Sequence, residues 1–139
     1  MSSCASSKNI SNTKADSIIT NAEKYIGTSY KYGGTSRAGM DCSGLVYTAF
    51  AEENIQLPRV SRYMAKEGTK IPLKKVKKGD LLFFKTLSSR RINHVGVVSF
   101  VENKNIKFIH STNSRGVIES SLLEKYWKKA FVKAIKIVN

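Results

Sequence analysis

Apolar residues recur every three or four positions in the first part of the chain and alternate in the second. Ala15, Ile18, Ile19, Ala22, Tyr25 and Ile26 fall on one helical stripe. Thr13, with Asp16 three residues on, gives that helix a capping-box start, and Gly27 gives it a stop. Residues 28–41 are a glycine-rich loop. A second helix is predicted from about Cys42 to Glu53, with Leu45, Val46, Ala49 and Phe50 as its apolar face. Leu57-Pro58-Arg59 breaks the pattern, and Ser61 is placed to cap a short helix ending at Gly68. Beyond Gly79-Asp80 the period changes to two. Residues 81–85, 94–100, 106–111 and 131–138 read as strands, with a shorter one at 117–120 and a helical turn within Leu122–Lys128. Helices first and strands second is the α+β pattern, with an antiparallel sheet.

Composition narrows the partners. The 139 residues suit one domain, expected over 13–139 and preceded by a flexible, Ser- and Asn-rich segment at 1–12. No apolar run approaches the ~18 residues of a membrane span. The formal charge of +14 favours a polyanionic partner, such as nucleic acid, an anionic membrane surface or a wall polymer. The basic residues are scattered and form no aromatic–basic stripe, so no specific nucleic acid is expected. The two cysteines, Cys4 and Cys42, lie in unlike contexts and are not expected to form a disulfide. With two histidines they show no zinc-site spacing, so no metal is expected. Ser2-Ser3-Cys4 resembles the end of a bacterial lipoprotein signal, in which the cysteine becomes the lipidated first residue. Cys4 is therefore the expected lipidation site of a precursor.

Cys42 sits where the glycine-rich loop enters a helix. The partial positive charge there favours a thiolate, and the unpaired N–H groups of the first turn suit an oxyanion. Gly44 is expected to let a substrate approach the helix start. His94 and His110, the only histidines, fall in two strands of one hairpin. A cysteine with a histidine on another element is the pattern of a thiol nucleophile and its base, and the second histidine suits the group that orients the first. Both rings must then share a face of the sheet. A three-residue loop at Glu102-Asn103-Lys104, which sets Gly96 opposite His110, is preferred because Asn and Lys there suit a turn with one left-handed residue; a loop centred on Glu102 would set the histidines directly opposite. A two-residue loop would separate the rings unless a bulge restored the count.

Six motifs in order carry a family resemblance: Tyr30-Lys31-Tyr32-Gly33-Gly34, Asp41-Cys42-Ser43-Gly44, Leu57-Pro58-Arg59, Gly79-Asp80-Leu81, His94-Val95-Gly96-Val97 and Phe108-Ile109-His110. Together they resemble the NlpC/P60 cysteine peptidases over about residues 14–138. The chain is similar to the small lipoprotein-type members of Gram-negative bacteria, including the Tyr126-Trp127 pair. The resemblance implies a papain-like fold and hydrolysis of peptidoglycan stem peptides without a cofactor. The bond cut would be the one between D-γ-Glu and the diamino acid, or a stem-peptide cross-link. It makes Cys42 the nucleophile, His94 the base and His110 its orienting partner. Tyr30 would stabilise the oxyanion or contact substrate, and Asp41 would bind a free amine of the stem peptide besides capping the helix. Ser43, Arg59 and Ser61 are expected cleft residues. The expected setting is the bacterial cell envelope, periplasmic and lipid-anchored, with a monomeric enzyme. The alternatives are a catalytically idle peptidoglycan-binding module, or an amidase or acyltransferase of related fold acting on another substrate.

Overall fold

The computed structural model describes residues 13–139; Cys4 and the rest of 1–12 lie outside them. Helix α1 (Lys14–Glu23) starts in the predicted capping box. Thr13 Oγ1 accepts from the Asp16 N–H, and the Asp16 carboxylate accepts from the Thr13 N–H. The helix stops earlier than its apolar stripe suggests. Turns lead to Gly27 at φ 98°, and Ile26 is half exposed instead of in the core. A two-stranded ribbon, β1 (Thr35–Ser36) and β2 (Gly39–Met40), then leads into α2 (Cys42–Ala51). Leu45, Val46, Ala49 and Phe50 are fully buried, as predicted. Each such burial contributes ~1.5–3 kcal/mol for the larger side chains. Asn21 Nδ2 donates to the Ala49 carbonyl at 3.0 Å and locks α1 to α2.

Helix α3 (Ser61–Met64) is a single turn. Its cap position is Val60, and Ser61 is the first helical residue, so the capping role expected of Ser61 is not found. The rest is strand: β3 (Thr69–Ile71), β4 (Leu81–Phe84), β5 (His94–Glu102), β6 (Asn105–Thr112), β7 (Gly116–Ser121) and β8 (Phe131–Lys136), with helix α4 (Lys125–Ala130) before β8. They form one antiparallel sheet in the order β3-β8-β4-β5-β6-β7. The edge strand β3 has no sequence signal, because its three residues are exposed or half-buried.

The sheet separates two apolar layers. Leu81, Phe83, Val95, Val97 and Ile109 face α1 and α2. Leu82, Phe84, Val98 and Phe108 face the other way, towards Leu122 and Trp127. The period of two therefore fills both faces and puts His94 and His110 with the second layer.

The β5–β6 loop differs from expectation. It has two residues, Asn103-Lys104, with Asn103 left-handed at φ 56°. Such a turn alone would set the two rings on opposite faces. A bulge between Val98 and Phe100 leaves Ser99 unpaired and moves the register by one, so that Val97 pairs with Ile109. Carried one residue further, that register sets Gly96 across from His110. A Cβ on Gly96 would lie 2.8 Å from the Phe108 ring and 3.2 Å from His110 Cβ, so glycine gives the His110 side of the hairpin its room.

Candidate active site

Asp41 caps α2 and places Cys42 in its first turn. One carboxylate oxygen accepts from the Gly44 N–H at 2.7 Å and from Arg59 Nη2 at 3.0 Å; the other accepts from the Gly33 N–H at 2.7 Å. Arg59 also donates to Ser43 Oγ at 2.7 Å. Asp41, Ser43 and Arg59 thus form one buried or half-buried brace around the helix start. The protein's own donors hold the Asp41 carboxylate in place, which accounts for the cap, and Asp41 lines the same cleft as Cys42. Ser61 is buried and lines the same cleft as these residues. Tyr30 is held between two backbone hydrogen bonds to Met40, Met40 N to Ser29 O and Lys31 N to Met40 O. Burial, with the nearby Asp41 and Cys42, raises its pKa, so the hydroxyl keeps its proton and can donate.

Gly44 does a different job from the one expected. A Cβ there would lie 2.0 Å from the Gly34 carbonyl oxygen and 2.8 Å from Asp41 Oδ1. The missing side chain admits the protein's own loop, not a substrate. Gly44→Ala should therefore push the 31–34 loop off the helix start. We expect a melting temperature lower by about 5 °C or more and a matching loss of activity. An unchanged melt would show that the loop does not press on this position.

The thiol lies against β5. Cys42 Sγ is 3.8 Å from the Asn93 carbonyl, and the Val95 N–H also points at it, so it contacts the two residues flanking His94. His94 Nε2 is 2.8 Å from His110 Nδ1, and His110 Nε2 is 2.8 Å from Ser120 Oγ. Trp127 stacks on the His94 ring at 5.2 Å and 24° and meets His110 edge-on at 4.7 Å. Ser120 and Trp127 are the residues that sequence reasoning did not place in the site. Ser111, beside His110, donates to the Met40 carbonyl at 2.7 Å and ties β6 to the residue before Asp41-Cys42.

Burial sets the charge of the pair. It pushes the Cys42 thiol up to about 11, with the Asp41 carboxylate adding to the rise and the N–H groups of Val95, Ser43 and Cys42 opposing it. Burial also lowers His94 to about 4 and, with His94 beside it, His110 to about 2. Burial thus pulls both groups towards their uncharged forms. That pull opposes the thiolate expected at a helix N-terminus, which the N–H groups of Ser43 and Cys42 favour.

Residues 27–136 match the model of the NlpC/P60 family. The chain belongs to the NlpC/P60 family. It is 41% identical over 116 residues to an Escherichia coli K12 protein named probable endopeptidase NlpC, covering 83% of this chain and 73% of that one. It is 35% identical over 114 residues to the E. coli murein DD-endopeptidase MepS/murein LD-carboxypeptidase, covering 81% and 57%. It therefore spans only part of these relatives. The NlpC/P60 domain of the peptidoglycan hydrolase SagA superposes with a TM-score of 0.74 at 26% identity, over 88% of this chain and 98% of that one. An NlpC/P60 family protein from Bacillus cereus ATCC 10987 gives 0.79 at 27% identity, over 90% and 40%. The α+β, papain-like architecture is thus that of NlpC/P60 domains.

Proposed function

We propose that this NlpC/P60 chain is a cell-wall endopeptidase that hydrolyses peptidoglycan stem peptides by thiol catalysis at the cell envelope. The observation that carries the reading is the line Cys42, His94, His110, Ser120, with the thiol against the residues flanking His94 and 2.8 Å contacts from ring to ring to hydroxyl.

The proposed roles set the proton positions. His94 must present an unprotonated Nδ1 to the thiol, so in its neutral form Nε2 carries the hydrogen and donates to His110 Nδ1. His110 then carries its hydrogen on Nε2 and donates to Ser120 Oγ. As the sulfur attacks the carbonyl carbon, His94 Nδ1 takes the thiol proton. The Cys42 N–H, at the first turn of α2 where no intrahelical acceptor exists, and the Tyr30 hydroxyl receive the oxyanion. His94 returns the proton to the leaving amine, the C–N bond breaks and a thioester forms. Water then gives a proton to His94 and its oxygen to the acyl carbon, which releases the carboxylic acid and restores the thiol. Arg59, Asp41, Ser43 and Ser61 shape the wall on the acyl side.

Digestion of purified sacculi and of soluble stem peptides, read by mass spectrometry, tests the reading. Cleaved muropeptides should appear, and their masses distinguish a cut after D-γ-Glu from a cut cross-link. Sacculi should be digested faster at low salt, because a +14 protein concentrates at an anionic wall that salt screens over ~8–10 Å. Intact substrate under all conditions would overturn the proposal.

A further inference from the structure

The chain passes through an unfavourable turn beside the candidate reaction centre. Between β4 and β5, the Ser89 N–H donates to the Thr86 carbonyl at 3.1 Å. The two residues they enclose, Leu87 and Ser88, are both left-handed, at φ 51° and 60°. Positive φ at both central positions marks a type I′ turn, which favours asparagine and glycine and strains a leucine or a serine. Core packing does not offset that strain, since Leu87 is 82% exposed.

A strained turn persists only where its surroundings over-determine it. Carried past the Phe84–His94 pair, the ladder of β4 and β5 would set Ile92 across from Thr86. The side-chain amide of Asn93 takes that place. Its Oδ1 accepts from the Thr86 N–H at 2.8 Å and from the Thr86 hydroxyl at 3.2 Å, and its Nδ2 donates to the Thr86 carbonyl at 3.1 Å. Ser89 Oγ, donating to the Arg91 carbonyl at 2.6 Å, ties the returning limb.

The backbone of Asn93 reaches the reaction centre. Its N–H donates at 3.1 Å to the carbonyl of Phe84, the residue paired with His94, and its carbonyl accepts from the Cys42 thiol at 3.8 Å. The loop also rims both clefts that meet there. Thr86 and Leu87 line one of about 380 Å³ with His94, and Ile92 and Asn93 line one of about 390 Å³ with Cys42.

We infer that Asn93 is a positioning residue: its side chain holds the Thr86–Ser89 turn shut, and that hold keeps its own carbonyl on the thiol and the start of β5 at His94 in place. The inference rests on the peptidase reading and adds to it a residue that acts through Cys42 and His94. The strain lies in Leu87 and Ser88, so the clamp is needed only while those two residues occupy the turn.

Asn93→Ala should lower kcat by roughly 10–100-fold, the effect of displacing a reacting group by about an ångström, with KM changed much less. Iodoacetamide should label Cys42 several-fold faster, because the thiol loses its fixed acceptor and its cover. Thermal melts check that the variant is folded. Thr86→Pro removes the N–H that Asn93 Oδ1 accepts and leaves residue 93 intact, so it should reproduce part of both effects. Rescue is the deciding measurement. Leu87→Asn/Ser88→Gly supplies the pair that a type I′ turn favours, and the turn then closes without help. Added to that background, Asn93→Ala should lower kcat by only about threefold or less, because the two changes act on one turn. The same loss in both backgrounds, or parental turnover and labelling in Asn93→Ala, would overturn the clamp and leave the peptidase reading standing. If the parent cuts no stem peptide, the peptidase reading falls and the labelling rates decide the clamp: faster labelling that the turn pair reverses supports it, and unchanged labelling overturns it.

Discussion

Cys42→Ala should lower hydrolysis of stem peptides by roughly 10⁴-fold or more, since it removes the thiol that forms the acyl intermediate. The sulfur makes only weak contacts, among them the 3.8 Å one to the Asn93 carbonyl, so the variant should melt close to the parent. The pH dependence of alkylation gives a second readout. The thiol is pushed up to about 11 and His94 down to about 4, so between these values the pair is uncharged. Iodoacetamide labelling of Cys42 should therefore rise about tenfold per pH unit from pH 6 to 9, following the thiolate fraction. A labelling plateau that starts below pH 7 would mean a thiolate–imidazolium pair and would remove the neutral resting state. Full activity in the alanine variant would end the enzymatic reading altogether.

The histidine line should show a graded loss. His94→Ala removes the proposed proton carrier at the thiol, and a loss of about 10²–10⁴-fold is expected. His110→Gln keeps an amide oxygen that can accept from His94 Nε2, so the tautomer survives and the loss should stay near tenfold. His110→Leu leaves that buried N–H without an acceptor and favours the tautomer with hydrogen on Nδ1, facing the thiol. Its loss should approach that of His94→Ala, as expected when the wrong tautomer is fixed. Activity of the glutamine variant close to that of the leucine variant, with normal melts, would show that His110 acts by something other than accepting this hydrogen. The same burial gives a stability effect. Both histidines titrate below 6.5 in the folded chain but near it when unfolded, so unfolding takes up protons below that pH. Stability should be full above about pH 6.5 and decline as pH falls towards 4, by roughly 3 kcal/mol for His94 alone.

What could be read from the residues, and what could not, follows from how each depends on register. The apolar faces of α1 and α2 are local patterns and appear in the fold with Ile18, Ala22, Leu45 and Phe50 buried as expected. The thiol at a loop-to-helix junction was equally local. Ser120 was not, because a serine in a strand carries no mark until the pairing of Phe108 with Ser120 places it beside His110. The Arg59–Asp41 contact joins residues eighteen apart through a turn that no periodicity describes. The upward pull on the Cys42 thiol was hidden for another reason. The chain position of a cysteine reveals a helix start but not the packing that dries the sulfur. The loop length depends on pairing in the same way, because a two-residue turn keeps both rings on one face only through the bulge at Ser99.

That bulge divides the β5–β6 hairpin into two halves that answer to different demands. From Ser99 towards the tip, pairing serves the turn and the outer strand ends, where Ile106 is the one residue buried in the second layer. From Val98 inward, it fixes where His110 stands relative to His94. The extra residue works as a joint between the halves, so the tip can change in sequence or be recut to carry a grafted peptide while the inner ladder holds its alignment. Removing Ser99 itself would join the two halves into one rigid ladder. The geometry of a distant turn would then dictate the position of a catalytic ring.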